Sequence, residues 1–180
     1  MRLGSRCQPG VASPPVCPVH VDVSRAKGQA QHMTETSADP VIARVRVPVG
    51  PVAAEAGWVH HIGEWWPLDT HGVHGGTATV VFAGGEIHEK APDGSVAYWG
   101  TVTTRESGER LVFTWHPGRS KDEATLVSLT FASLPEGGTD VLLEHSGFDS
   151  LPDGGAVRTK YAAGWPGVLE RYAAFMAARD

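Results

Sequence analysis

Residues 41 to 47 read Val-Ile-Ala-Arg-Val-Arg-Val, so Val41, Ala43, Val45 and Val47 share one face while Arg44 and Arg46 occupy the other. This alternation predicts a half-buried strand. Pro48 and Pro51 end it, and Val52 to Trp66 predicts one or two short helices, interrupted at Gly57 and Gly63 and stopped by Pro67. Six β-rich runs follow: Thr77 to Ala83, Glu86 to Ala91, Val96 to Arg105, Arg110 to His116, Thr125 to Ser133 and Thr139 to His145. Gly84-Gly85, Asp93-Gly94, Ser107-Gly108 and Gly137-Gly138 supply turns between most of them, which predicts an antiparallel meander. The pattern then changes period. Tyr161, Trp165, Val168, Leu169, Tyr172, Phe175 and Met176 form one apolar stripe of a long helix that starts near Gly154-Gly155, with Asp153 as candidate cap. Pro166 removes one backbone bond inside that helix and predicts a kink. Helices segregated onto an antiparallel sheet define an α+β fold.

Composition narrows the function classes. The chain has 180 residues, 41% of them hydrophobic and 8% aromatic, enough for one sizeable core. A net charge of −5 disfavours a basic nucleic-acid stripe or a polybasic membrane patch, so neither nucleic acid nor membrane is expected as a partner. No run approaches the roughly 18 consecutive apolar residues of a membrane-spanning helix, and a soluble cytoplasmic protein is expected. Cysteine occurs only at Cys7 and Cys17, which excludes thiol catalysis, disulfides and cysteine-based zinc sites from the rest of the chain. The absence of Asn and the excess of Arg over Lys suggest a GC-rich, bacterial genome. Residues 1–40 hold five of the 13 prolines and no sustained period, and are expected to form a disordered tail ahead of one domain at 41–180. Their prolines fit neither a signal peptide nor a transit helix. Met33-Thr-Glu-Thr-Ser has the look of a natural start, which would make residues 1–32 an upstream extension.

The element order resembles the helix-grip fold of the START and birch-pollen-allergen superfamily, also called SRPBCC. Four segments narrow the likeness: Ile62-Gly-Glu-Trp-Trp-Pro67, Arg110-Leu-Val-Phe-Thr-Trp115, Glu144-His-Ser-Gly-Phe148 and Gly164-Trp-Pro-Gly-Val-Leu169. Together they resemble the bacterial branch of the family named after the activator of the heat-shock protein 90 ATPase, over roughly residues 41–178. The resemblance implies a curved sheet gripping the C-terminal helix, with an apolar cavity between them in many relatives. Its function is left open by the fold, since the superfamily holds lipid and hormone binders, cyclases and oxygenase subunits. The namesake co-chaperones carry an additional N-terminal domain where this chain has about forty irregular residues.

Trp65, Trp66, Trp99, Trp115 and Trp165, with Phe82, Phe113 and Tyr161, lie on elements expected to face the interior between sheet and helix. They suit an aromatic-walled pocket for an apolar or aromatic small molecule, although for each taken singly ordinary core packing is the favoured reading. Adjacent Trp65 and Trp66 are not expected to point inward together, so one of them should rim an opening. Strand parity turns His145 inward beside Val141 and Leu143, where it either hydrogen-bonds within the core or offers a polar ligand contact or general base. His60, His61, His71 and His74, with Glu64 and Asp69, cluster as metal ligands would, but their glycine-rich flanks give no rigid frame and no metal or other cofactor is expected. Glu86, Glu89, Glu106 and Glu109 read as a solvated face. No nucleophile elbow, P-loop or dinucleotide motif occurs. The leading expectation is a non-enzymatic or weakly catalytic binding module for a hydrophobic small molecule. A chaperone-contacting protein and a cyclase- or hydrolase-like enzyme using His145 or Tyr161 are the alternatives.

Overall fold

The structure is a computed structural model that describes residues 39–179, so the tail expected at 1–40 lies outside the described residues but for its last two. Strand β1 (Val41–Val47) leads into helix α1 (Pro51–Trp65) and the short α2 (Leu68–His71). Six strands follow: β2 (Thr79–Ala83), β3 (Glu86–Lys90), β4 (Val96–Glu106), β5 (Arg110–Trp115), β6 (Thr125–Ser133) and β7 (Thr139–Ser146). Helix α3 (Gly154–Ala177) closes the domain. The strands form one antiparallel sheet in the order β1-β7-β6-β5-β4-β3-β2. Every connection from β2 onward joins neighbours, and only β1 crosses the sheet to pair beside β7. This is the helix-grip α+β architecture, with α3 and α1 held against the concave face of a curved sheet.

Alternation accounts for most of the burial. Val41, Ala43 and Val47 are buried and Val45 half-buried, while Arg44 and Arg46 stay in water. Gly84 and Gly85, at φ of 62° and 83°, make the tight β2–β3 turn with both residues in the left-handed region that glycine alone occupies without strain. The alternation breaks once in the middle of β4. Ile87 pairs with Gly100 and His88 with Tyr98, so Trp99 is the extra residue of a β-bulge. Trp99 and Gly100 are consequently both buried. A side chain at residue 100 is impossible there, because its Cβ would stand 1.7 Å from the Thr114 carbonyl oxygen.

Three expectations change. Helix α1 runs unbroken through Gly57 and Gly63. Both glycines mark close approach instead: a Cβ at Gly57 would lie 2.2 Å from Met176 Sδ, and one at Gly63 2.8 Å from the Val80 carbonyl oxygen. Asp153 precedes α3 but its side chain does not cap it, because the carboxylate is held by Arg119 Nη2 at 2.7 Å. Glu89 is not solvated. It shares a strand face with Ile87 and is wholly buried. Helix α3 continues through Pro166, an exposed position, and its stripe of Trp165, Val168, Leu169, Tyr172 and Met176 is buried as the spacing predicts. Among the described residues, no helix is long and apolar enough to cross a membrane.

Candidate functional site

The N-terminal half of α3 presents Lys160, Gly164 and Val168 in one row at four-residue spacing, beside the row of Tyr161 and Trp165. Opposite them lie Trp66, the residues His71, Gly72 and Val73 that follow α2, and Trp115 and Pro117 at the end of β5. These walls enclose a largely apolar cleft of about 300 Å³, open on one side to solvent. Gly164 lets the helix come close: a Cβ there would meet His71 Nε2 at 3.1 Å. The aromatic floor is continuous. Ring centroids of Trp66 stand 5.5 Å from Trp115 and 6.0 Å from Trp165, and Trp115 lies 6.0 Å from Trp165.

Hydrogen bonds fix each ring in place. The indole N–H of Trp66 donates to the His71 carbonyl (3.2 Å), which ties the end of α2 to the floor. Trp115 donates to the Tyr161 hydroxyl oxygen at 3.0 Å, and Trp165 donates to His145 Nδ1 at 3.0 Å. An indole can only donate, so His145 Nδ1 is the acceptor and its proton sits on Nε2. That N–H donates to Thr125 Oγ1 (2.7 Å), whose own proton goes to the Trp115 carbonyl (2.8 Å). Burial holds the His145 pKa down at about 3, so the ring is neutral and both its nitrogens are used inside the core. Burial pushes the Tyr161 phenol up, against the opposing pull of the Trp115 hydrogen bond. Glu89 anchors the rim from behind: its carboxylate accepts the backbone N–H groups of Val73 (2.7 Å) and His74 (2.8 Å) and the Trp99 indole N–H (3.2 Å).

The nine residues singled out in the sequence therefore separate. Trp66, Trp115, Tyr161 and Trp165 line the cleft. Trp99 lies one layer behind, 5.4 Å from both Trp66 and Trp115, and His145 lies behind Tyr161 at 4.4 Å. Phe113 packs against Trp115 and Phe82, and Phe82 borders a smaller hollow with Val59 and Leu111. Trp65 turns away to Trp58 and Tyr172. The adjacent tryptophans are both buried, at 5% and 7% exposure, contrary to the expectation that only one could be. They manage this because α1 ends between them: Trp65 closes the helix and Trp66 is already extended, so their side chains leave in different directions. The four clustered histidines also part company, with His60 and His61 on α1, His71 at the end of α2 and only His74 in a loop. His60 approaches Arg105, His61 pairs with Glu64, His71 contacts Thr70, and His74 is held by its backbone. Among the described residues, no three His, Cys, Asp or Glu side chains converge as metal ligands would.

The sequence reading did not connect Lys160, His71, Gly164 or Glu89 with the cleft: His71 figured as a metal-ligand candidate and Glu89 as a solvated residue. Glu89 had a usable signal, since period-two parity with Ile87 turns it inward. Lys160, Gly164 and Val168 had one too, in their four-residue spacing alongside the aromatic row.

The family model described as "Activator of Hsp90 ATPase homolog 1-like protein" matches residues 59–177. The chain belongs to that family. Solved structures agree on the fold. Protein MLL2253 of Mesorhizobium loti is 22% identical, with a TM-score of 0.58 over 78% of this chain and 98% of its own. CalC of Micromonospora echinospora, described as a self-sacrificing resistance protein, is 20% identical, with a TM-score of 0.58 over 80% of this chain and 97% of its own. The Aha1 dimer of Colwellia psychrerythraea is 14% identical, with a TM-score of 0.52 over 77% of this chain and 96% of its own. At these identities the likeness is one of fold. A search of curated proteins gives no match. In this Activator of Hsp90 ATPase homolog 1-like domain the cleft opens between α3 and the segment after α2, where Trp66 and Trp165 come from two of the segments that carried the family resemblance.

Proposed function

We propose that this domain is a binding module that takes an aromatic small molecule into the cleft between α3 and the α2 segment. The observation that carries this is the floor of three indole rings, Trp66, Trp115 and Trp165, all bordering the same open space of about 300 Å³. Such a volume stands at the lower end of the roughly 300–1,000 Å³ typical of sites that bury small ligands. Each ring is fixed by its own N–H hydrogen bond, so the floor is rigid before anything binds and little ordering cost falls on association. We read the role as binding rather than catalysis, because His145, the base that an enzyme would draw on here, has both ring nitrogens engaged in the core. A chaperone-contacting role has no comparable support among the described residues.

A titration with the neutral probe N-phenyl-1-naphthylamine tests the proposal. Saturable quenching of tryptophan emission is expected, and Val168→Trp, which fills the cleft from α3, should abolish it while leaving the circular dichroism spectrum intact. Quenching that does not saturate, or that survives Val168→Trp, would overturn the proposal.

A further inference from the structure

We infer that the preferred occupant is an aromatic acid, a flat apolar ring system bearing a carboxylate, with the acid group placed at Tyr161 and Lys160. This rests on the binding role proposed above and adds the chemical class of the ligand. The polar atoms of the cleft are unevenly distributed. The indole N–H groups of Trp66, Trp115 and Trp165 all have acceptors within the protein, so the aromatic floor offers a ligand only apolar contact. Tyr161 differs. Its hydroxyl oxygen accepts from Trp115, but among the described residues nothing accepts the hydroxyl proton. This half-buried O–H on the cleft wall is a donor that a bound acceptor can take over. The acceptance from Trp115 also fixes the oxygen in position, which leaves the proton free to turn to an incoming group.

Charge points the same way. The preceding residue on the helix, Lys160, lines the cleft and forms no ion pair among the described residues, although Asp153 feels its charge, and no Asp or Glu lines the cleft. The acidic groups nearby are already held: Arg119 binds Asp153 Oδ2 at 2.7 Å and Glu123 Oε1 at 3.0 Å, and the Arg119 hydrogen bond holds the Asp153 carboxyl below its usual range. A carboxylate at this end of the cleft would therefore meet one O–H donor and one ammonium group, with its ring system over the indoles. A neutral acceptor would use the first and gain nothing from the second.

Matched probes decide the point: 2-naphthoate and its methyl ester, titrated calorimetrically at pH 7.5 into the native protein, Tyr161→Phe and Lys160→Glu. The reading is the ratio of the two affinities within each protein, so that any loss of stability on substitution cancels. The native protein should favour the acid by about tenfold, the usual worth of a hydrogen bond to a charged group. Tyr161→Phe should cut that preference several-fold, and Lys160→Glu should bring it to unity or below. Equal binding of acid and ester by the native protein would overturn the acid preference while leaving the aromatic cleft in place. An acid preference that survives both substitutions would overturn it as well, by placing the carboxylate elsewhere. Failure of both probes to bind would remove the cleft as a ligand site and the preference with it.

Discussion

The two halves of α3 meet the same kinds of residue and end up differently packed. Toward its C-terminus the helix meets α1 and aromatic rings fill the space between them, beside a smaller hollow of about 210 Å³ bordered by Gly57, Phe175 and Met176. Trp65 lies 4.8 Å from Trp58 and 5.2 Å from Tyr172, centroid to centroid, and the Tyr172 hydroxyl donates to the Ala54 carbonyl at 2.6 Å. Gly57 makes room for Met176, and the Trp65 indole donates to the Gly57 carbonyl at 3.1 Å, so the two helices interlock at one point. Toward its N-terminus α3 meets a one-turn helix and a glycine-rich segment, and three indoles face an open cleft. Aromatic content does not distinguish the halves. What differs is the partner: a fifteen-residue helix can follow α3 closely, whereas α2, four residues long, comes close to it where His71 lies over Gly164. In the proposed reading, the filled half holds the domain together and the open half receives the ligand.

The largest expected effect lies in the filled half. Trp65→Ala should cost about 3–5 kcal/mol in urea unfolding, the range for emptying a well-packed aromatic site. A cost below about 1 kcal/mol would mean that α1 and α3 do not interlock.

The hydrogen-bonded layer behind the cleft gives a pH dependence. His145 has a native pKa of about 3 against an ordinary value of 6.5, so below pH 6.5 the unfolded chain binds a proton that the native state does not. Its contribution to stability is therefore complete above pH 6.5 and is lost progressively as the pH falls toward 3. Between pH 7 and pH 5 the loss from this group should be about 2 kcal/mol. His145→Gln should flatten the stability profile by that amount across the window. Equal slopes in the two proteins would show that the ring is not buried as a neutral base.

A pair of additions contrasts the halves most finely. Ala54→Leu adds bulk where Ala54 is wholly buried under Tyr172 and should destabilise by about 1–3 kcal/mol. Val168→Leu adds one methylene to a buried side chain that borders the cleft and should cost about 1 kcal/mol or less, because open space is there to take it. Equal penalties in thermal or urea unfolding would show that the cleft half is as tightly packed as the other.

Most of the fold was legible from periodicity. Strand β1 has the face that Val41, Ala43 and Val47 predict, and the stripe from Trp165 to Met176 is the buried face of α3. What escaped has physical reasons. A helix-breaking glycine and a glycine required for close approach are spelled the same, so Gly57 and Gly63 read as interruptions until Met176 and the Val80 carbonyl are seen above them. Parity assumes an unbroken register, and the bulge at Trp99 puts two consecutive residues inside. Glu89 was misplaced by residue type, since a carboxylate is normally solvated, although three N–H donors satisfy it in the core. The aromatic residues that border the cleft were all among those singled out in the sequence. Which of those singled out border open space was not legible, because that depends on how closely each half of α3 is approached, and no local pattern encodes it.

The six indole N–H groups offer the most direct test, since each gives its own signal in a ¹⁵N–¹H correlation spectrum and the six are divided between the halves. During titration with N-phenyl-1-naphthylamine, Trp66, Trp115 and Trp165 should shift saturably with a common affinity. Trp99, one layer behind, should follow weakly, and Trp58 and Trp65 should stay in place. Shifts led by Trp58 and Trp65, or no saturable shift at any of the three floor indoles, would contradict a ligand cleft at the N-terminal half of α3.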